Sequence, residues 1–333
     1  MLAAAVLPVW PVRHGPLLAL LCLVAACGFG PSARAATLED KLSAYRYEDT
    51  RRLVSMVEAA ADLVARDGTA AFPQFAVRGS RWFHDNLYIF IFAVDGTCVF
   101  HAASPRLVGT NMMDFRDIHG KPVIRLITDV AKRPGPDAAD WVFYLWEEDK
   151  PQLDPQWKSA YVRKAVAPDG KVYLVGSGSY DIKVEEAFIA DNVRHAADLI
   201  QSAGKEAAFS AFRDPASSFV FLDTYIFVLD EEGRLLVDPA YPTLAGRDLY
   251  GFRDAMGVSV IQALIAKLKQ HDEAAVQYLW ARPGKATLSR KLIYARRVRF
   301  GGESMIVGSD FFLATPIWMK SGIETGWPSV PPA

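Results

Sequence analysis

Tyr88-Ile89-Phe90 returns as Tyr225-Ile226-Phe227, and the reading of the whole chain follows from that return. Working outward, Ala70-Ala71-Phe72 recurs at Ala207-Ala208-Phe209, Gly109 at Gly246 and Phe115-Arg116-Asp117 at Phe252-Arg253-Asp254, each displaced by the same interval, as from 88 to 225. Further on the interval shortens slightly: Tyr144-Leu145-Trp146 matches Tyr278-Leu279-Trp280, Lys158 and Tyr161 match Lys291 and Tyr294, and Val175-Gly176-Ser177 matches Val307-Gly308-Ser309. Small loop deletions account for the drift. Chance does not supply such an ordered series, and the interval far exceeds the roughly 20 to 50 residues of stacked arrays, so a whole domain has been duplicated.

Each copy has the same predicted plan. A helix opens it, Leu38 to Ala65 in the first copy, where Leu53, Val57, Ala60 and Val64 fall at helical spacing, and Val184 to Ala203 in the second; Gly68 and Gly204 close them. A hairpin follows, Tyr88 to Val94 turning at Asp95-Gly96 into Thr97 to Ala102, and Tyr225 to Leu229 turning through Asp230 to Gly233 into Arg234 to Val237. Asp-Gly between apolar runs is a strong hairpin signal. After a short helical excursion the first copy ends in strands near Trp141 to Trp146, Ser159 to Val166 and Val172 to Ser177. The predicted class is α+β: two tandem PAS-like modules, each an antiparallel sheet preceded by a long helix, with the helices on one side of the sheet. The divisions read as 1–35 leader, 36–182 module 1, 183–315 module 2 and 316–333 a Gly/Pro-containing tail.

The chain has 333 residues, 51% of them hydrophobic, with 37 Lys+Arg against 38 Asp+Glu. That balance excludes a disordered chain and a polybasic nucleic-acid binder. Residues 1–35 carry Arg13 and Arg34 but no acid, and an uncharged run from Leu17 to Ala26 ahead of Ala33-Arg34-Ala35 reads as a secretory leader cleaved near Ala35. Val24-Ala25-Ala26-Cys27 resembles a lipobox and offers the alternative of a lipid anchor at Cys27. Cleavage near Ala35 predicts a periplasmic or secreted product and the lipobox a lipid-anchored one; under either cut the ordinary thiol is Cys98, set in a strand-like apolar run. No later segment is apolar over a membrane-spanning length, and no room for an output domain is expected beyond the tail.

Tyr88 to Phe92, Val94-Asp95-Gly96, Leu107 to Asn111, Asp114 to Asp117, Gly120-Lys121-Pro122, Tyr144 to Trp146, Lys158 to Tyr161 and Val175 to Gly178 together resemble the single Cache domain of type 2. The resemblance covers about Leu38 to Asp181 and, more loosely, copy two to about Leu313. It implies tandem extracytoplasmic sensor modules that bind short organic acids. Copy two departs from the pattern, with Gly257-Val258-Ser259 for Gly-Lys-Pro and Gly308-Ser309-Asp310-Phe311 for the glycine-serine run, which makes copy one the better site candidate.

Residues two apart on a strand share a face, so Tyr144 with Trp146, and Tyr278 with Trp280, each present paired rings. Lys158 and Tyr161 add an ammonium and a phenol suited to a carboxylate, and Lys291 and Tyr294 repeat them in the weaker second module. The bland reading makes the rings plain core and Lys158 a solvated strand end. Three-residue spacing puts Lys158 and Tyr161 on one face only if Lys158 precedes the regular strand. His101 and its counterpart Asp238 end matching strands, where a pocket rim is expected, and their difference in charge points either to different ligand preferences or to binding by one copy alone. In Phe-Arg-Asp the expected work is structural, Asp117 capping the next helix and Arg116 tying the loop to the sheet.

Catalytic signatures are weak. The six histidines form no metal-ligand spacing, and Gly176-Ser177-Gly178-Ser179 fits neither a nucleophile elbow nor a phosphate loop, so it is assigned to close strand packing near the sheet edge. Acids at Glu147-Glu148-Asp149 read as a solvated loop. The sequence therefore predicts a non-enzymatic binding or sensing protein for a small organic anion, with no cofactor, no metal and no nucleic-acid partner, signalling through a membrane receptor, kinase or transporter. The alternative is an interaction module with filled pockets, dimerising through residues 38–65. Intact mass of the exported protein distinguishes the two leader readings: cleavage after Ala35 gives an unmodified chain beginning at Ala36, whereas the anchor adds lipid mass to a chain beginning at Cys27.

Overall fold

The structure is a computed structural model and describes residues 37–146, 155–281 and 288–313. The leader and lipobox, the acidic loop at 147–149 and the tail lie outside the described residues. The first module opens with α1 (Leu38–Ser43) and α2 (Glu48–Asp67), followed by a short α3 (Phe72–Phe75). The expected single helix is thus two. α1 starts on a Thr37/Asp40 capping box, and the break before α2 is held by the second module: Glu185 accepts hydrogen bonds from the backbone N–H groups of Arg46 and Tyr47 at 2.9 and 3.0 Å.

A two-stranded ribbon, β1 (Phe83–His84) and β2 (Leu87–Tyr88), leads into β3 (Phe90–Ala93) and β4 (Cys98–His101). Then come α4 (Val123–Asp129), β5 (Ala139–Trp146), β6 (Gln156–Val166) and β7 (Val172–Ser179). The second module repeats this with α5 (Glu186–Ala203), α6 (Lys205–Arg213), β8 (Ile226–Asp230), β9 (Leu235–Val237), α7 (Val260–Leu268), β10 (Glu273–Ala281), β11 (Leu288–Phe300) and β12 (Glu303–Phe312). The five-stranded sheets have the same antiparallel order, β4-β3-β7-β6-β5 and β9-β8-β12-β11-β10. Glycine-rich β7 is therefore the central strand, not an edge.

Helices cover both faces of each sheet rather than one. In module 1, α2 packs Met56, Ala60, Ala61 and Val64 on Ile91, Tyr173 and Val175, while α4 packs Val123, Ile124 and Ile127 on Phe90, Phe92 and Leu174. The apolar face of α2 offered by the sequence for dimerisation is occupied by its own chain. In module 2, Val193, Ala197 and Ile200 of α5 take one face and Val260, Leu264 and Leu268 of α7 the other. A separate apolar cluster joins the modules: Trp141, Phe143 and Tyr161 meet Phe188, Ile189 and Phe221, with the Phe143 and Phe221 rings stacked at 4.1 Å.

Gly176 faces Phe90 across the β3–β7 pairing, and Gly308 faces Phe227 in the matching place. A Cβ at Gly176 would lie 2.5 Å from the Phe90 ring, and one at Gly308 would lie 2.2 Å from Phe227. The glycines make room for a ring lying flat on the central strand. Gly176→Ala must displace a buried ring packed in the core; the expected cost is about 1–3 kcal/mol, read as a lowered urea midpoint at unchanged m-value.

Candidate functional site

Strand alternation decides which side chains meet. On β6, Lys158, Ala160 and Val162 face α4; on β5, Val142, Tyr144 and Trp146 do the same, with Tyr144 opposite Lys158. His101 joins them from β4. Lys158, 1% exposed, donates to the Tyr88 hydroxyl at 2.6 Å and stands over the rings of Tyr88 and Tyr180 at 4.2 and 5.1 Å. The cavity among Tyr88, Phe92, His101, Tyr144, Trp146 and Lys158 holds only about 10 Å³, barely one water. The described lining of module 1 is close-packed.

Tyr161 is not in this cleft. Lying an odd number of residues from Lys158, it points to the α2 face, where its hydroxyl donates to Glu58 at 2.7 Å beside Lys41, which sits 3.0 Å from the same carboxylate. Tyr294 departs in the same way: it lies with the α5-side cluster and donates to Glu273. Both were expected beside their lysines, and the pleat separates them.

Of the two clefts, that of module 2 is the open one. A cavity of about 130 Å³ lies among Tyr225, Phe227, Phe252, Tyr278, Trp280 and Lys291, with Asp238 and Asp310 on its wall. Two substitutions between the copies make the space: Leu229 and Asp238 stand where Phe92 and His101 place rings. Asp310 is the residue the sequence reading missed as part of the site. It replaces Gly178, whose added Cβ would lie 3.0 Å from Lys158 Cε, and it sits 2.7 Å from Lys291 Nζ while accepting from the Tyr278 hydroxyl at 2.9 Å. The register of the repeat contained the signal, since the acid falls where copy one has glycine beside the lysine.

Lys121, absent from copy two, serves a different purpose from the cleft. It is fully buried, and its ammonium donates to the backbone carbonyls of Ser217 and Val220 in module 2 at 2.7 and 2.6 Å. Burial pushes its pKa down to about 8 against the pull of Asp117 and Asp214. Gly-Lys-Pro is thus a clasp between modules, and its loss from copy two says nothing about ligand binding there.

The Phe-Arg-Asp roles are exchanged relative to expectation. Asp117 accepts from the N–H groups of His119 and Lys121 and from Leu145 of β5, so the acid ties the loop to the sheet, while Arg116 closes the turn on the Gly120 carbonyl. Asp254 and Arg253 repeat these bonds. Desolvation pushes the Asp254 carboxyl up, and its backbone N–H donors outweigh that and hold it below the usual carboxylate range. Between the modules, a cavity of about 240 Å³ is edged by Arg133, Asp140, Asp191 and His195, with Arg133 donating to Asp140 and meeting His195 Nε2 at 2.8 Å. Desolvation lifts Asp140 to about 6 despite Arg133. Cys98 is buried, which pushes its thiol up to about 11, far from a reactive thiolate.

A PAS-like α+β module, doubled, with a partly polar cleft between the sheet and its smaller helix, defines the class. Comparison with known families agrees: a model described as Cache domain matches residues 74–195, and one described as Single Cache domain 2 matches residues 190–311. The chain carries two Cache domains in tandem and belongs to this family of ligand-binding sensor modules. It is 30% identical over 91 residues to the methyl-accepting chemotaxis protein McpP of Pseudomonas putida, a match covering 27% of this chain and 16% of that receptor. Among solved structures it is similar to a periplasmic sensor domain of a chemotaxis protein (26% identity, 37% of this chain and 87% of that one, TM-score 0.30). A methyl-accepting chemotaxis protein from Vibrio parahaemolyticus gives 26% identity, 38% and 84% coverage and a TM-score of 0.32. Among the described residues no helix is long and apolar enough to cross a membrane.

Burial, and then the Lys158 charge, push the His101 imidazole down from 6.5 to about 3, and its Nδ1 accepts from the Ser104 N–H. Between those two values the unfolded chain binds a proton that the folded chain refuses, so stability falls as pH drops through that window. His101→Gln removes this titration, and its urea midpoint should fall less steeply than that of the wild type over the same acid range.

Proposed function

We propose that the chain is an extracytoplasmic small-molecule sensor whose ligand site is the cavity of module 2, and that it passes its ligand state to a membrane partner. The observation that carries this reading is the 130 Å³ aromatic cavity built over a buried lysine in the cleft of a Cache domain. At about 130 Å³ it is well below the roughly 300–1,000 Å³ of drug-sized ligand pockets, so the solute is small. Aromatic walls supply apolar contact and Lys291, Asp310 and Asp238 supply orientation, the usual division of labour in ligand pockets. Module 1, with its clasp to module 2 and its filled cleft, acts in this reading as the support through which occupancy is relayed. Membership of a sensor family and partial similarity to a chemotaxis receptor support a receptor-type partner.

A short organic acid, the ligand class expected from sequence, finds its cation in Lys158, and binding there requires the module 1 cleft to open. Both sites are tested by one measurement on the full chain: melting temperature against a panel of short carboxylates, amino acids and amines. A true ligand at a hundredfold over its Kd stabilises by about 2.7 kcal/mol. Trp280→Ala should abolish the shift if the site is in module 2, and Trp146→Ala if it is in module 1. No shift with any compound, together with concentration-dependent melting, would overturn the sensing reading in favour of an interaction module.

A further inference from the structure

Comparison of the two clefts at matched positions carries the reading above a step further, to the charge of the ligand. The lysine is retained, as Lys158 and Lys291, and so are the two rings of β5 and β10. Besides the loss of the Phe92 ring to Leu229, two positions gain an acid: His101 becomes Asp238 and Gly178 becomes Asp310, both on the wall of the module 2 cavity. The described lining there has two carboxylates to one ammonium, which leaves a formal charge of one negative unit. We infer that the second Cache domain selects a small molecule bearing a protonated amine, seated against Asp238 and Asp310.

The chemistry of each acid supports this. Asp310 is 6% exposed and is held by Lys291 and Tyr278, so it is a fixed charge rather than a mobile surface group. A buried ion pair is a poor source of stability, because desolvation offsets most of its attraction. An added acid that serves only to neutralise Lys291 would gain the fold little, whereas the same acid in one cavity with Asp238 offers a cation a second acceptor. Asp238 is positioned by its own turn: one carboxylate oxygen accepts from the N–H groups of Ala240 and Tyr241, both at 2.9 Å. Tyr225, Tyr241 and Trp280 line the same cavity, and aromatic rings attract a cation at their faces. Lys291, in the same cavity, offers a partner for a carboxylate on the same molecule, so amino acids and simple amines share the required group.

This inference rests on the sensing reading, and the experiment separates their failures. Calorimetric titration and thermal shift of the full chain use probes matched in carbon skeleton, among them L-alanine, ethylamine and propionate, alongside longer homologues of each. The expected result is stabilisation by an amine-bearing probe and none by its amine-free carboxylate. Alanine without ethylamine marks an amino-acid site, and ethylamine without alanine an amine site. Asp238→Asn keeps an oxygen for the Ala240 and Tyr241 N–H groups, so it should fold, and it should weaken binding at least tenfold. Asp310→Gly, which installs the residue of module 1, should move preference toward propionate. Binding of carboxylates to the wild type with no change in Asp238→Asn would overturn the inference and leave the sensor standing. Absence of binding by every probe class would overturn both.

Discussion

A phenylalanine ring lies flat on the middle strand of each sheet because the residue beneath it has no side chain. Phe90 over Gly176 and Phe227 over Gly308 are the same contact twice, and each sits where the floor of the cleft must be both smooth and thin. Because β7 and β12 are third of five strands, every other residue of these strands has its face set by that contact. Leu174 and Gly178 look toward α4 with Gly176, while Tyr173, Val175 and Ser177 look toward α2. Moving the register by one residue would exchange cleft and core wholesale.

That alternation explains what the sequence made legible. Recurrent tripeptides located matching strands, and the shared topology of the sheets follows from them. Paired rings at Tyr144 and Trp146, and at Tyr278 and Trp280, could be assigned to one face from spacing alone. Tyr161 and Tyr294 could not be kept with their lysines, because odd spacing within a regular strand sends them to the helix side. The break between α1 and α2 was hidden for another reason: its cause is Glu185, more than a hundred residues away in sequence. Lys121 was opaque for the same reason. A conspicuous motif in one copy suggested ligand chemistry, yet its partners are carbonyls of the other module, and pattern within a module carries no information about them.

The two clefts show how little must change for one scaffold to acquire a different interior. Rings at Phe92 and His101 fill the first, and smaller residues at Leu229 and Asp238 leave the second open. The surrounding framework is held constant by bonds that do not line the cleft, chiefly the acid of Phe-Arg-Asp, which anchors the excursion loop to β5 or β10 through backbone N–H groups. With loop and sheet fixed in this way, cleft residues can vary without carrying the burden of folding.

The clasp at Lys121 has an asymmetry of its own. One side contributes a particular side chain, and the other contributes main-chain oxygens that every amino acid possesses. Substitution at positions 217 and 220 therefore leaves the acceptors in place, provided the loop keeps its path. The identity of this one clasp is written in the first half of the gene, and positions 217 and 220 are at liberty to drift while Lys121 keeps its two acceptors.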